Sequence, residues 1–235
     1  MKRLPPFEAA TKFVQTNFPT CQGALLAGSV TRGEETSTSD LDIVIFDSHV
    51  PSSYRQSLIE CEWPIEVFVH NLHSYQHFFQ EDYKRARPCM QRMVAEGLVL
   101  KDEGVLAAIK KEAVEMLEKG PERWSPQTII MKRYFLTDAL DDFIGSEKRE
   151  EDICIANTLA ELIHEFVLRT NGQWIGASKW IIRSLRQFNP IFATQYIQAF
   201  DAFYQQGEKQ LIVVLVDEIL EPYGGKLFQG FSIGK

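Results

Sequence analysis

Two aspartates, Asp40 and Asp42, stand one residue apart in the segment SDLDIVIF. Side chains alternate between the two faces of a β-strand, so both carboxylates would share one face with Val44. Two such charges about 4 Å apart repel each other by roughly 4 kcal/mol at an effective dielectric constant near 20. Mg²⁺ relieves this kind of repulsion, since proteins hold it with one or two carboxylates together with phosphate oxygens. The pair therefore predicts a metal site that handles phosphate groups.

A glycine-serine turn precedes the aspartates. Gly28 and Ser29 follow the apolar run GALLA, and Arg32 comes shortly afterwards. Glycine lets backbone N–H groups approach phosphate oxygens closely, and an arginine can add a bidentate contact. We expect Gly28, Ser29 and Arg32 to contact a triphosphate. The alternative for Arg32 is a structural salt bridge to a nearby acidic residue.

A third carboxylate, Glu66, lies in the apolar segment IEVFVH at 65–70. Its alternation predicts a strand with Glu66, Phe68 and His70 on one face. If this strand neighbours the one that carries Asp42, Glu66 lies beside the aspartates. It could then ligate a metal or accept the proton of an attacking hydroxyl group. The alternative is a solvated strand residue.

The elements that must position these residues differ between the two halves of the chain. The first half predicts an α/β unit over residues 1–105. Its expected helices are 5–17, 52–62, 72–82 and 88–96, and its expected strands are 23–28, 41–46 and 65–70. Residues 106–235 show helical periodicity almost throughout, which predicts an all-α bundle. The expected helices of that bundle include 126–144, 152–170, 177–188, 191–206 and 208–220.

The composition limits the partners and the compartment. The chain has 235 residues and a net charge of −7, which disfavours nucleic acid as the main partner and favours a small cationic one. Four widely spaced cysteines without a CxxC pair are typical of reduced thiols. The N-terminal segment lacks an apolar signal core, and the run LIVVLV is too short to span a bilayer. We expect a cytoplasmic protein, and a homodimer is compatible with the sequence.

The segments GSVTRG at 28–33 and SDLDIVI at 39–45 together resemble the signature of the polymerase-beta-type nucleotidyltransferase superfamily. The resemblance implies an α+β protein whose catalytic domain is a small mixed sheet with helices. It also implies two Mg²⁺ ions on three carboxylates, and transfer of a nucleoside monophosphate from a nucleoside triphosphate to a hydroxyl group. By position, Asp40 and Asp42 would be catalytic metal ligands. Glu66 is the candidate for the third catalytic carboxylate and metal ligand, and ATP is the expected donor.

The size and domain order resemble those of the aminoglycoside nucleotidyltransferases, in which a helical domain follows the catalytic domain. This resemblance implies a small, cationic hydroxyl acceptor and a role in antibiotic resistance. It also carries the triphosphate contact over to Ser29. Lys179 and Arg183 are spaced i, i+4 behind the turn NGQWIGAS, and we expect them to contact phosphates.

Two other functions stay open at this stage. The same chemistry could act on a hydroxyl group of a protein or an RNA, although the acidic net charge weighs against RNA. The fold could also serve as a non-catalytic binding module of the antitoxin kind. The intact pair of carboxylates weighs against that function, because an inactive site has no reason to hold like charges together.

Overall fold

The structure is a computed structural model that describes residues 3–234. The chain divides between Gly120 and Pro121 into two compact units. The first unit contains a five-stranded mixed sheet with helices, and the second is helical. The predicted α+β class is therefore confirmed.

The first unit is built around the sheet, whose strand order is β3-β4-β2-β1-β5. Strands β2 and β4 are parallel, and the other neighbouring pairs are antiparallel. A 3₁₀ turn at Ser29–Arg32 follows β1. The elements in chain order are α1 (Pro6–Asn17), β1 (Gly23–Ala27), β2 (Leu41–Phe46), β3 (Tyr54–Glu60), β4 (Trp63–His70), α2 (Tyr75–Arg85), α3 (Cys89–Glu96), β5 (Leu98–Asp102) and α4 (Leu106–Lys119).

Apolar side chains cover both faces of the sheet, as the alternation in β2 requires. Ile43 and Ile45 pack on one face with Phe13 of α1. Val44 and Phe46 point to the other face and pack with residues of α2, α3 and α4. The strand alternation places Asp42 and Glu66 on this second face, where the apolar cover gives way to polar side chains at the start of β2 and β4.

The predicted helix over residues 52–62 is wrong. The segment forms β3, an edge strand that pairs antiparallel with β4 through a two-residue turn at Cys61 and Glu62. Both turn residues have positive φ, 53° and 63°, as in the type I′ turns that suit the twist of a hairpin. Such turns normally use asparagine or glycine, so the sequence lacks the usual hairpin signal. Most of β3 is exposed, which removes the apolar alternation as well.

Helix α4 belongs to the first unit. Its residues Leu106, Ile109 and Ala113 are buried with Leu25 and Val44 of the sheet. The expected domain boundary after residue 105 precedes this helix, whereas the structure divides the chain after it.

The second unit consists of helices connected by short loops. Proline begins two of them, α5 (Pro126–Gly145) and α8 (Pro190–Gln206). The preceding Ser125 and Asn189 cap free N–H groups of their first turns. The five helices predicted between residues 126 and 220 are all present. They are α5 (Pro126–Gly145), α6 (Arg149–Thr170), α7 (Lys179–Phe188), α8 (Pro190–Gln206) and α9 (Gln210–Leu220). No helix within residues 3–234 is both long and apolar enough to cross a membrane.

Candidate active site

The parallel pairing of β2 and β4 brings the predicted carboxylates together. Asp42 lies directly opposite Glu66 in the register of the two strands, and Asp40 immediately precedes β2. One oxygen from each of the three side chains lies within 4.8 Å of the other two. We call Asp40, Asp42 and Glu66 the carboxylate cluster. The structure thus places side by side the three residues that the sequence selects, and their role as ligands stays a prediction.

The electrostatics of the carboxylate cluster are unfavourable without a cation. Burial, together with the negative charges of Asp40 and Glu66, raises the pKa of the Asp42 carboxyl to about 6. The positive charges of Arg55 and Arg32 act in the opposite direction. A divalent cation between these oxygens would favour the ionised form of Asp42 for the same reason.

Gly28 brings the backbone against the carboxylate cluster. It has φ 81° and ψ −159°, a conformation that is essentially restricted to glycine. A Cβ atom at this position would lie 2.0 Å from Oδ2 of Asp42. The turn after β1 therefore passes so close to Asp42 that no side chain fits. Such an approach leaves the backbone of this turn next to whatever Asp42 binds.

Hydrogen bonds connect the turn after β1 with the loop before β2. The Ser29 hydroxyl donates to Oγ of Ser39 over 3.3 Å, and Ser39 Oγ also accepts the N–H of Thr36 over 2.9 Å. The Thr31 hydroxyl donates to the carbonyl oxygen of Gly28 over 2.9 Å. These bonds fix the two segments that precede and carry Asp40. Ser29 is only half-buried, so its hydroxyl can also meet a ligand.

Arg32 forms salt bridges to acidic residues, which is the alternative role named for it above. Its Nε lies 3.2 Å from Oε2 of Glu34, and its Nη1 lies 3.2 Å from Oε2 of Glu96 on α3. Both acidic partners are well exposed, so these pairs stabilise little and can exchange for a phosphate. Glu96 could not be identified as a partner from the sequence, because 64 residues separate it from Arg32.

Arg55 also lies at this site, although the sequence pattern gives no signal for it. It lies on β3 opposite Phe68, and its guanidinium is 4.9 Å from the centre of the Phe68 ring. Its Nη2 also donates a short hydrogen bond to Oε2 of Glu66. The expected helix over 52–62 would not align Arg55 with Glu66. A correct hairpin prediction would have placed the two side chains on the same face.

Lys179 and Arg183 lie in the first turns of α7, in the second unit. Their i, i+4 spacing on a helix is as predicted, and the Arg183 guanidinium carbon is 5.0 Å from the centre of the Trp180 ring. Ser178, which precedes the helix, has φ 51° and ψ −128°, a strained conformation for a residue other than glycine. A phosphate contact by Lys179 and Arg183 stays a prediction.

The donor set of the carboxylate cluster fits a hard divalent cation. All three side chains offer oxygen, which Mg²⁺ prefers. Within residues 3–234, no other set of three or more histidine, cysteine, aspartate or glutamate side chains has ligand atoms this close together. The Gly28 turn alongside supplies backbone and hydroxyl donors of the type that bind phosphate oxygens. The residues present can therefore hold both a metal ion and the phosphates attached to it.

Several solved structures are similar to this chain. The crystal structure of a nucleotidyltransferase-like protein from Exiguobacterium sibiricum is similar over 92% of this chain and 74% of that chain, with 11% sequence identity and a TM-score of 0.47. No protein-family model and no curated protein matches the sequence. The function is therefore inferred from the residues and sequence motifs of the chain itself.

Proposed function

We propose that the protein is a Mg²⁺-dependent nucleotidyltransferase that moves a nucleoside monophosphate from a nucleoside triphosphate to a hydroxyl group. The observation that supports this most strongly is the carboxylate cluster, whose ligand atoms lie within 4.8 Å of one another beside the Gly28 turn. Three carboxylates this close together repel one another, and a bound cation would relieve that repulsion. A turn without a side chain leaves its backbone N–H groups accessible to phosphate oxygens.

The residues of the site have different tasks in the proposed reaction. Asp40 and Asp42 would hold the cation, and Glu66 would complete the ligand set if a second ion binds. The Gly28 and Ser29 turn binds and orients the triphosphate, and Arg32 adds a positive charge at its edge. Bound Mg²⁺ would neutralise the negative charge of the triphosphate and of the pyrophosphate that leaves.

The chemical step forms one bond and breaks another. The acceptor hydroxyl oxygen bonds to the α-phosphorus, and the bond from that phosphorus to the bridging oxygen of the β-phosphate breaks, which releases pyrophosphate. A carboxylate such as Glu66 takes the proton of the hydroxyl group. The positions of Asp42 and Glu66, directly opposite each other on parallel strands, allow one to hold the cation while the other accepts the proton.

The donor and acceptor classes follow from charge and from the sequence resemblance. We propose ATP as the donor and a small, cationic hydroxyl compound such as an aminoglycoside as the acceptor. The net charge of −7 attracts such a compound and repels nucleic acid.

Turnover with labelled nucleotide tests the proposal. The protein is incubated with Mg²⁺, ATP labelled at the α-phosphate and a panel of hydroxyl compounds that begins with aminoglycosides. We expect label in the acceptor together with release of pyrophosphate, and loss of both in Asp42→Asn. Glu118→Gln, which removes an exposed carboxylate of α4, is the matched control and should retain the activity. Label that appears only in added protein or RNA would refute the small acceptor, and turnover that survives in Asp42→Asn would refute the assigned site.

A further inference from the structure

The Glu66 carboxylate already has a cationic partner. Arg55 of the edge strand β3 donates to Oε2 of Glu66, and its guanidinium also packs over the ring of Phe68 at 4.9 Å. A metal ion that binds Glu66, or a hydroxyl group that transfers its proton to Oε2, therefore meets the positive charge of Arg55 at this carboxylate and competes with it.

The sheet register explains why Arg55 reaches Glu66. Ser57 lies directly opposite Glu66, and Arg55 is two residues away on the same face of β3. Diagonal neighbours of this kind are within reach of long side chains. Across the sheet, the order is therefore Arg55, Glu66 and Asp42, with the Gly28 turn beyond Asp42. Arg55 flanks the carboxylate cluster on the side away from that turn.

Exposure makes the contact reversible. The side chain of Arg55 is 56% exposed and that of Glu66 is 25% exposed, so Arg55 can swing into solvent without leaving a buried charge behind. Within the carboxylate cluster, the direct contact of Arg55 is to Glu66, and Asp40 and Asp42 lie farther along the sheet. The two aspartates can therefore take up a cation while Arg55 stays in place.

We propose that Arg55 is a built-in counter-cation that competes with divalent metal for Glu66. With Arg55 in place, the free protein loads one ion on Asp40 and Asp42. Displacement of Arg55 frees Glu66 to act as a second ligand or as the base. Arg55 is thus a positioning residue, and it sets the metal affinity of the resting site. This inference rests on the proposed function, since it assumes that the carboxylate cluster binds metal.

Direct metal binding in the absence of nucleotide tests the inference. Mn²⁺ is used as a paramagnetic substitute for Mg²⁺, and its affinity is measured for wild type, Arg55→Gln and Arg55→Met. The glutamine removes the charge, and the methionine also keeps an apolar stem over Phe68. Both variants should bind Mn²⁺ about fivefold more tightly than wild type, which corresponds to about 1 kcal/mol and is in the range of a partly exposed ion pair. A substitution that damages the site would weaken Mn²⁺ binding. Tighter binding therefore indicates that Arg55 competes with the metal in wild type.

Two further variants separate the possible outcomes. Lys111→Gln removes a positive charge from α4 that pairs with Glu115, and it should leave the affinity unchanged. Unchanged affinity in both Arg55 variants, or an equal gain in Lys111→Gln, would overturn the inference. Asp42→Asn should abolish binding in every background. If Asp42→Asn binds Mn²⁺ as well as wild type does, the proposed function is wrong. If Asp42→Asn loses binding but the Arg55 variants keep the wild-type affinity, the proposed function stands and the inferred role of Arg55 is wrong.

Discussion

The close approach of Gly28 to Asp42 gives a prediction in which the local geometry sets the size of the effect. Alanine at this position must adopt φ 81° and ψ −159°, which costs roughly 1–3 kcal/mol for a residue with a side chain. Its Cβ atom would also lie 2.0 Å from Oδ2 of Asp42, so the carboxylate must move. We expect Gly28→Ala to lower the melting temperature by on the order of 5–10 °C. Because Asp42 must move, we also expect Mn²⁺ binding to weaken at least about tenfold, which corresponds to about 1.4 kcal/mol.

Gly33→Ala is the matched control for this prediction. Gly33 also has positive φ, at 65°, but nothing lies within 4 Å of the position of its Cβ atom. The backbone cost is about 1 kcal/mol, so the melting temperature should fall less than in Gly28→Ala. The Mn²⁺ affinity should stay within about twofold of wild type. Calorimetry and a Mn²⁺ titration measure the two effects separately. Equal loss of metal affinity in both variants, or no loss in Gly28→Ala, would show that the turn does not shape the metal site.

Two more predictions concern the stability of the first unit. Burial lowers the pKa of His70 from 6.5 to about 4. As the pH falls, this histidine is therefore protonated in the unfolded chain before it is protonated in the folded protein. The folded protein keeps the full stabilising contribution of neutral His70 above pH 6.5 and loses it as the pH falls toward 4. Between pH 7.5 and pH 5, the free energy of unfolding measured with urea should fall by about 2 kcal/mol more in wild type than in His70→Gln. Equal decreases in the two proteins would contradict this prediction. Ile43→Ala, in the buried centre of β2, should cost about 2–5 kcal/mol, whereas Ile59→Ala, at an 80% exposed position of β3, should cost less than about 0.5 kcal/mol. Similar costs in the same urea assay would mean that the strands are not placed as described.

The carboxylate cluster could be predicted because its signals are local. Strict alternation in β2 placed Asp40 and Asp42 on one face, and alternation in β4 did the same for Glu66. A single further assumption, that the two strands are neighbours, was enough to bring all three together, and the parallel pairing of Asp42 with Glu66 satisfies it. The long helices of the second half were predictable for the same reason, since their 3.6-residue periodicity is read within one segment.

The partners of the site could not be predicted because they depend on structure without local signals. The β3–β4 hairpin turns through Cys61 and Glu62, two residues that rarely take the positive φ required there. Without this hairpin, Arg55 had no reason to be placed beside Glu66. The pairing of Arg32 with Glu96 depends in turn on where α3 packs, which no nearby residue indicates.

Binding of triphosphate with and without metal tests the central claim most directly. Thermal melts of wild type and Asp42→Asn are recorded with a non-hydrolysable ATP analogue, in the presence and absence of Mg²⁺. At about 100 times Kd, the ligand should stabilise wild type by roughly 2.7 kcal/mol, or on the order of 5–10 °C, only when Mg²⁺ is present. Asp42→Asn should show no shift. An equal shift in Asp42→Asn, or no shift of wild type with any of the four common triphosphates, would contradict a metal-dependent nucleotide site on the carboxylate cluster.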